Sequence, residues 1–184
     1  LPAHWQQLPA LETHTGKVVY RKAFVAPDDP RRLWLRLRGV FYRYRVRLNG
    51  VLVGETEGYF FPHEFEVTAH LKRGAVNELL IEVDSPVEQS RLEKETITGV
   101  FAHWDALSSY KYNAGGLWLP VELVHHPAVH IARALVHLEA FDDEAAYVTL
   151  RLDLEVEEKA KATWRVTFTP RNFEGEARSF SGEI

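Results

Sequence analysis

Cysteine is missing from this 184-residue chain, which excludes a disulfide framework and any thiolate metal site. Methionine is missing as well, and the first residue is Leu1; both facts predict an excerpt of a longer reading frame. No apolar run approaches the roughly 20 residues that a membrane-spanning helix needs, so no membrane partner is expected. The start, Leu1-Pro2-Ala3-His4-Trp5, lacks the charged-then-apolar order of a secretory leader. Compartment stays open on these grounds, with the cytoplasm slightly preferred. Positive charge is not in excess: 22 Lys and Arg stand against 26 Asp and Glu, a net charge of −4. A phosphate-binding surface needs clustered cations, so nucleic acid is excluded as a partner.

A helical period is also lacking before residue 127. What is present is alternation of period two, the mark of strands with one buried face. Leu33 to Arg38 and Tyr42 to Leu48 alternate apolar residues with arginines. That spacing assigns Arg36, Arg38, Arg43, Arg45 and Arg47 to solvated strand faces. The second run ends at Asn49-Gly50, the pair that best tolerates the positive φ angles of a type I′ hairpin. Val51 to Gly54 reads as the return strand; Leu79 to Val83 and Leu117 to Val124 as further strands. Pro127 stops this pattern and a new set begins: Val129 to Leu138, Tyr147 to Val156 and Thr163 to Phe168. The expected class is all-β, with one sandwich over 1–127 and a second over 128–184. A complete immunoglobulin-like sandwich takes about 100 residues and seven strands, so the second is expected to be truncated.

Between the first module's strands, Glu88 to Gly116 is long and irregular yet carries Phe101, Trp104, Tyr110 and Tyr112. Such loops are usually functional or disordered, and the aromatic content argues against disorder. In His103-Trp104-Asp105 an indole can stack on the C–H face of a pyranose while the carboxylate accepts sugar hydroxyls; otherwise Trp104 packs on its own domain and Asp105 caps a turn. Asn113 can bond a sugar hydroxyl, or simply tolerate a left-handed turn before Gly115-Gly116. His125, His126 and His130 lack carboxylates at ligand spacing, and a solvated linker is preferred to a metal site. Glu64 and Glu66 share one strand face and read as solvent-facing. Ser108-Ser109 with His103 and Asp105 lacks a nucleophile elbow, so no hydrolytic triad and no catalytic residue is assigned. No cofactor is expected.

Six segments in order also resemble the N-terminal sugar-binding domain of glycoside hydrolase family two: Tyr20 to Pro27, Leu35 to Val40, Val46 to Tyr59, Phe61 to Thr68, Gly74 to Leu79, and Gly115 to Leu123. Leu119 departs from the pattern, where the family often has Arg or a similar polar residue before the Pro-Val near the end of the jelly roll. The resemblance implies a jelly-roll, galactose-binding-like sandwich, then an immunoglobulin-like sandwich, then a (β/α)₈ barrel with paired glutamates. The partner it implies is a β-glycoside substrate in the intact enzyme, with the barrel as catalytic domain. Trp104 and Asp105 would then reach toward the barrel and line the sugar site, with Asp105 holding hydroxyls. Homo-oligomers are common in that family. Two other readings stand beside this one: an autonomous carbohydrate-binding module, and a purely structural sandwich that supports a barrel.

Overall fold

The computed structural model describes residues 3–12, 14–85, 115–142, 144–156, 160–172 and 174–184. Fourteen strands and three short 3₁₀ turns make up the described elements, and no α-helix occurs among them. The chain divides into two units, 1–125 and 126–184.

In the first unit an antiparallel sheet orders its strands β2 (Gly16–Val25), β8 (Val76–Ser85), β5 (Arg43–Leu48) and β6 (Val51–Glu57). A second sheet holds β10 (Val121–Val124), β3 (Trp34–Leu37) and β7 (His63–Glu66). A third, smaller sheet holds β1 (Ala3–His4), β9 (Gly116–Leu117) and β4 (Val40–Phe41). The alternation read from sequence decides which side faces inward. Leu35 and Leu37 of β3, Tyr44, Val46 and Leu48 of β5, and Leu79, Ile81 and Val83 of β8 join one buried cluster with Trp5 and Leu117. The arginines of the same strands face out and pair across the ladder, Arg43 with Glu57, Arg45 with Glu55 and Arg36 with Glu64. Glu66 of the same face pairs with Arg32, so Glu64 and Glu66 are each held by a cation.

The Asn49-Gly50 turn takes positive φ at both residues, 50° and 85°, as the dipeptide implies. Its side chain does more than permit the turn. Asn49 Nδ2 donates to the His70 carbonyl and to Asn77 Oδ1, each at 2.8 Å, while Asn49 Oδ1 accepts from Glu78 N. Asn77, fully buried, also accepts from Lys72 N and donates to the carbonyls of Lys72 and Ala75. This is a satisfied buried polar network, and it ties the hairpin to the segment leading into β8.

One reading changes. Leu117 to Val124 is not one strand: β9 belongs to the small sheet and β10 to the three-stranded sheet, with Trp118-Leu119-Pro120 between them. Pro120 cannot donate to a ladder. The partner segment breaks at the same level, β3 and β4 lying on either side of Arg38-Gly39. At this corner Trp118 N and Leu119 N both donate to the Gly39 carbonyl, and Arg38 N donates to Pro120 O. A Cβ on Gly39 would stand 2.7 Å from the Trp118 ring, so the indole needs a glycine beneath it.

The second unit consists of two antiparallel hairpins, β11 (Val129–Phe141) with β12 (Ala146–Val156), and β13 (Thr163–Phe168) with β14 (Arg178–Glu183). Leu150, Leu152 and Leu154 of one hairpin, and Trp164, Val166 and Phe180 of the other, line a gap of about 920 Å³. Among the described residues of 126–184 none is buried. The alternation is therefore real, but its apolar faces are not covered.

Candidate functional site

The residues assigned from sequence to sugar contact, His103, Trp104, Asp105 and Asn113, lie outside the described residues, as do Ser108 and Ser109. What the structure describes is the frame from which that segment departs and to which it returns. Departure is at Ser85, the last residue of β8, fully buried and paired with Gly16. Return is at Gly115 and Gly116, both buried. Gly116 lies between His4 of β1 and Phe41 of β4, with a φ of 119° that an L side chain rarely adopts.

Trp5 secures the return point. Its ring is packed so closely on Gly115 that a Cβ there would stand 2.0 Å from Cζ2. Its backbone N donates to the Gly115 carbonyl, and its Nε1 to the His14 carbonyl, both at 3.1 Å. The indole is 1% exposed, and the His14 ring meets it edge-on at 5.8 Å. Burial pushes the His4 imidazole below its ordinary pKa, partly opposed by a backbone hydrogen bond at Gly115. Sequence reading missed this role for Trp5, because an aromatic residue near the start of a chain carries no periodicity to place it.

A second missed feature is an aromatic lip at the β6–β7 turn. Phe41, fully buried, packs on Tyr59 at 4.9 Å between centroids, and Tyr59 packs on Phe60 at 4.2 Å. Tyr42 joins them at 6.2 Å from Tyr59. Phe60 and Phe61 are 64% and 77% exposed. The signal was present in Tyr59-Phe60-Phe61-Pro62, since three aromatic residues in one turn are out of place in a merely solvated connection.

Nearby, the Tyr44 hydroxyl lies 2.5 Å from His63 Nδ1. Burial pushes the Tyr44 hydroxyl well above its usual range and the His63 imidazole below its own. Both shifts favour the neutral forms near pH 7, and the hydroxyl and the ring nitrogen share one hydrogen bond. His125 meets Arg31 Nη1 at 2.5 Å, and His126 stacks on His130 at 3.9 Å. Among the described residues no group of three or more His, Cys, Asp or Glu side chains is placed to hold a metal ion.

Comparison with known proteins agrees with this architecture. Residues 7–122 match the profile described as glycosyl hydrolase 2 galactose-binding domain-like. A β-glucuronidase of Formosa agariphila is 25% identical over 154 residues, which is 77% of this chain and 15% of that enzyme. The β-glucuronidase of Bifidobacterium dentium, solved with coumarin-3-O-glucuronide, superposes with a TM-score of 0.64 at 23% identity, covering 100% of this chain and 36% of its own. A β-D-glucuronidase of Dictyoglomus thermophilum also gives 0.64, at 22% identity, covering 91% and 30%. The chain thus spans about a third, or less, of the length of these relatives. With the profile matched over most of its length, the chain belongs to the glycosyl hydrolase 2 galactose-binding domain-like family.

Proposed function

We propose that this chain is the non-catalytic N-terminal part of a family-two glycoside hydrolase and that it shapes the sugar site through the segment between Ser85 and Gly115. The supporting observation is the frame just described, which buries both ends of that segment in one sandwich. Rigid anchoring of a loop lowers the ordering cost of the groups it carries. In this reading Trp104 walls the pocket with its indole, Asp105 accepts sugar hydroxyls, and His103 and Asn113 add further hydrogen bonds. The paired carboxylates that cleave the bond belong to a (β/α)₈ domain outside this chain. Residues 128–184 begin an immunoglobulin-like sandwich, a reading supported by the two hairpins with uncovered apolar faces. β-Glucuronides are the first substrates to try, because the relatives above are β-glucuronidases.

The test is Asp105→Ala in the intact enzyme that contains this chain, assayed on p-nitrophenyl β-D-glucuronide and β-D-galactoside. Loss of a hydroxyl-binding carboxylate lowers kcat/KM by about 1.5–3 kcal/mol, roughly 10- to 150-fold. A value within about twofold of the parent would make the sandwich a structural buttress instead.

A further inference from the structure

Four asparagines occur in the chain, and only Asn49 is followed by glycine. Glycine has no Cβ to shield its backbone nitrogen, so that nitrogen is the least hindered amide an asparagine side chain can meet. At this turn Gly50 is exposed, and its N–H makes no hydrogen bond among the described residues. The nucleophile for an attack on the Asn49 side chain is therefore open.

The electrophile is not. Asn49 is half-buried, and its amide is engaged at both ends: Nδ2 donates to the His70 carbonyl and to Asn77 Oδ1, and Oδ1 accepts from Glu78 N. Its backbone N–H donates to the Glu78 carbonyl at 2.9 Å, which pins the residue further. Asn77 is itself fully buried and held by Lys72 and Ala75. All three side-chain partners lie within residues 70–78, whereas the Gly50 nitrogen lies on the turn. Swinging Asn49 Cγ onto that nitrogen takes the amide off its partners.

From this arrangement we infer that Asn49-Gly50 is a deamidation site that folding holds shut. When the network opens, the Gly50 nitrogen gives its proton to solvent base and forms a bond to Asn49 Cγ. The Cγ–Nδ2 bond breaks, and Nδ2 leaves as ammonia after taking a proton from water. One water then opens the five-membered imide at either carbonyl, which leaves aspartate or isoaspartate at position 49. Nothing is oxidised or reduced. Either product ends the network. Aspartate sets a carboxylate oxygen against the His70 carbonyl and Asn77 Oδ1, and neither of these atoms can donate to it. Asn77 cannot turn its own amide without dropping its bonds to Lys72 and Ala75. Isoaspartate puts an extra carbon into the backbone of the two-residue turn that joins Leu48 to Val51. The conversion therefore runs one way, and it loosens the tie between the hairpin and β8.

The chain itself provides the test, incubated at mildly alkaline pH in buffer and in denaturing urea. Trypsin releases Leu48 to Lys72, in which Asn49 is the sole side-chain amide. The mass gain of NH₂ replaced by OH in that peptide reports on position 49 alone, and isoaspartyl methyltransferase labelling identifies the imide route. Conversion in urea is expected to be roughly 10- to 1,000-fold faster than in buffer, the span of three net hydrogen bonds. In buffer, Asn77→Ala raises the rate at least about tenfold, whereas Gly115→Ala, which loosens the same unit away from Asn49, raises it less than about threefold. Equal rates in buffer and urea overturn the inference, and so does equal acceleration by the two substitutions. A product without isoaspartate also overturns it, since that means direct hydrolysis. Asn49→Asp gives a measurement that does not depend on Asn77→Ala folding. It installs the product's carboxylate and should raise the unfolded fraction about tenfold or more at a fixed urea concentration; stability equal to the parent's would refute the loss of the tie.

Discussion

Gly115→Ala is the substitution whose cost follows most directly from the structure. The added Cβ would stand 2.0 Å from Trp5 Cζ2 and 2.4 Å from Cη2. Ordinary carbon contacts are about 3.5–4.0 Å, so the ring would have to retreat by roughly 1.5 Å. It has little room to do so, being 1% exposed and held by the Nε1 bond to His14 and by its own backbone bond to Gly115. Overpacking of this kind costs about 1–3 kcal/mol, and a stretched indole bond adds about 1 kcal/mol. Gly115 does not have a left-handed φ, so alanine meets no backbone strain there. Its stiffer unfolded chain returns about 0.4–1 kcal/mol. The net expectation is a loss of about 1.5–3 kcal/mol, a large share of the usual 5–15 kcal/mol. Urea unfolding read on amide signals of β2, β5 and β8 isolates the first unit. The same substitution in a Trp5→Leu background should lose most of its cost, a coupling of at least about 1 kcal/mol. A penalty below about 0.5 kcal/mol would refute the reasoning, as would an equal penalty in both backgrounds.

Three further outcomes are expected. Asn77→Ala leaves two donors and two carbonyls of the Asn49–Lys72–Ala75 network without their partner, and should cost about 3 kcal/mol or more by urea unfolding; a loss under about 1 kcal/mol would mean that water replaces it. His4 and His63 are depressed by burial below their unfolded value of about 6.5. The unfolded chain therefore binds protons first as pH falls, so stability declines from pH 7 toward pH 5. Substituting His63→Leu should flatten that slope, and a slope that stays the same would assign it elsewhere. Strands β11 to β14, which have no buried residue among those described, should exchange their amide protons well before β2, β5 and β8; equal protection in both units would contradict the uncovered faces.

Much of the fold could be read directly. The arginine–leucine alternation of β3 and β5, and the Asn49-Gly50 turn, are local patterns, and local patterns fix which side of a strand faces inward. Non-local features were not legible in the same way. Leu117 to Val124 reads as one apolar run, and only the hydrogen bonds to Gly39 and Pro120 divide it between two sheets. Arg178 to Glu183 has too little alternation to declare a strand, yet it pairs along its whole length with Thr163 to Phe168. In the second unit the apolar faces were legible but what covers them was not, since alternation says that a face wants burial and names no partner. For the site, the segment with His103, Trp104, Asp105 and Asn113 stood out by composition. Its anchoring by Trp5 depends on a contact between residues 110 positions apart, which no window of sequence contains.

The corner at Gly39 has a mechanical consequence. There two antiparallel segments pass together from the small sheet into the three-stranded one, tied by three backbone hydrogen bonds and capped by the Trp118 ring. A tensile load applied at Gly115 would run along β9 and meet these bonds beside one another, so they would share the force instead of yielding in turn. Tension on the segment that carries Asp105 should therefore be passed to β3 and β10 as shear, and the anchor and the sandwich should move as one stiff body.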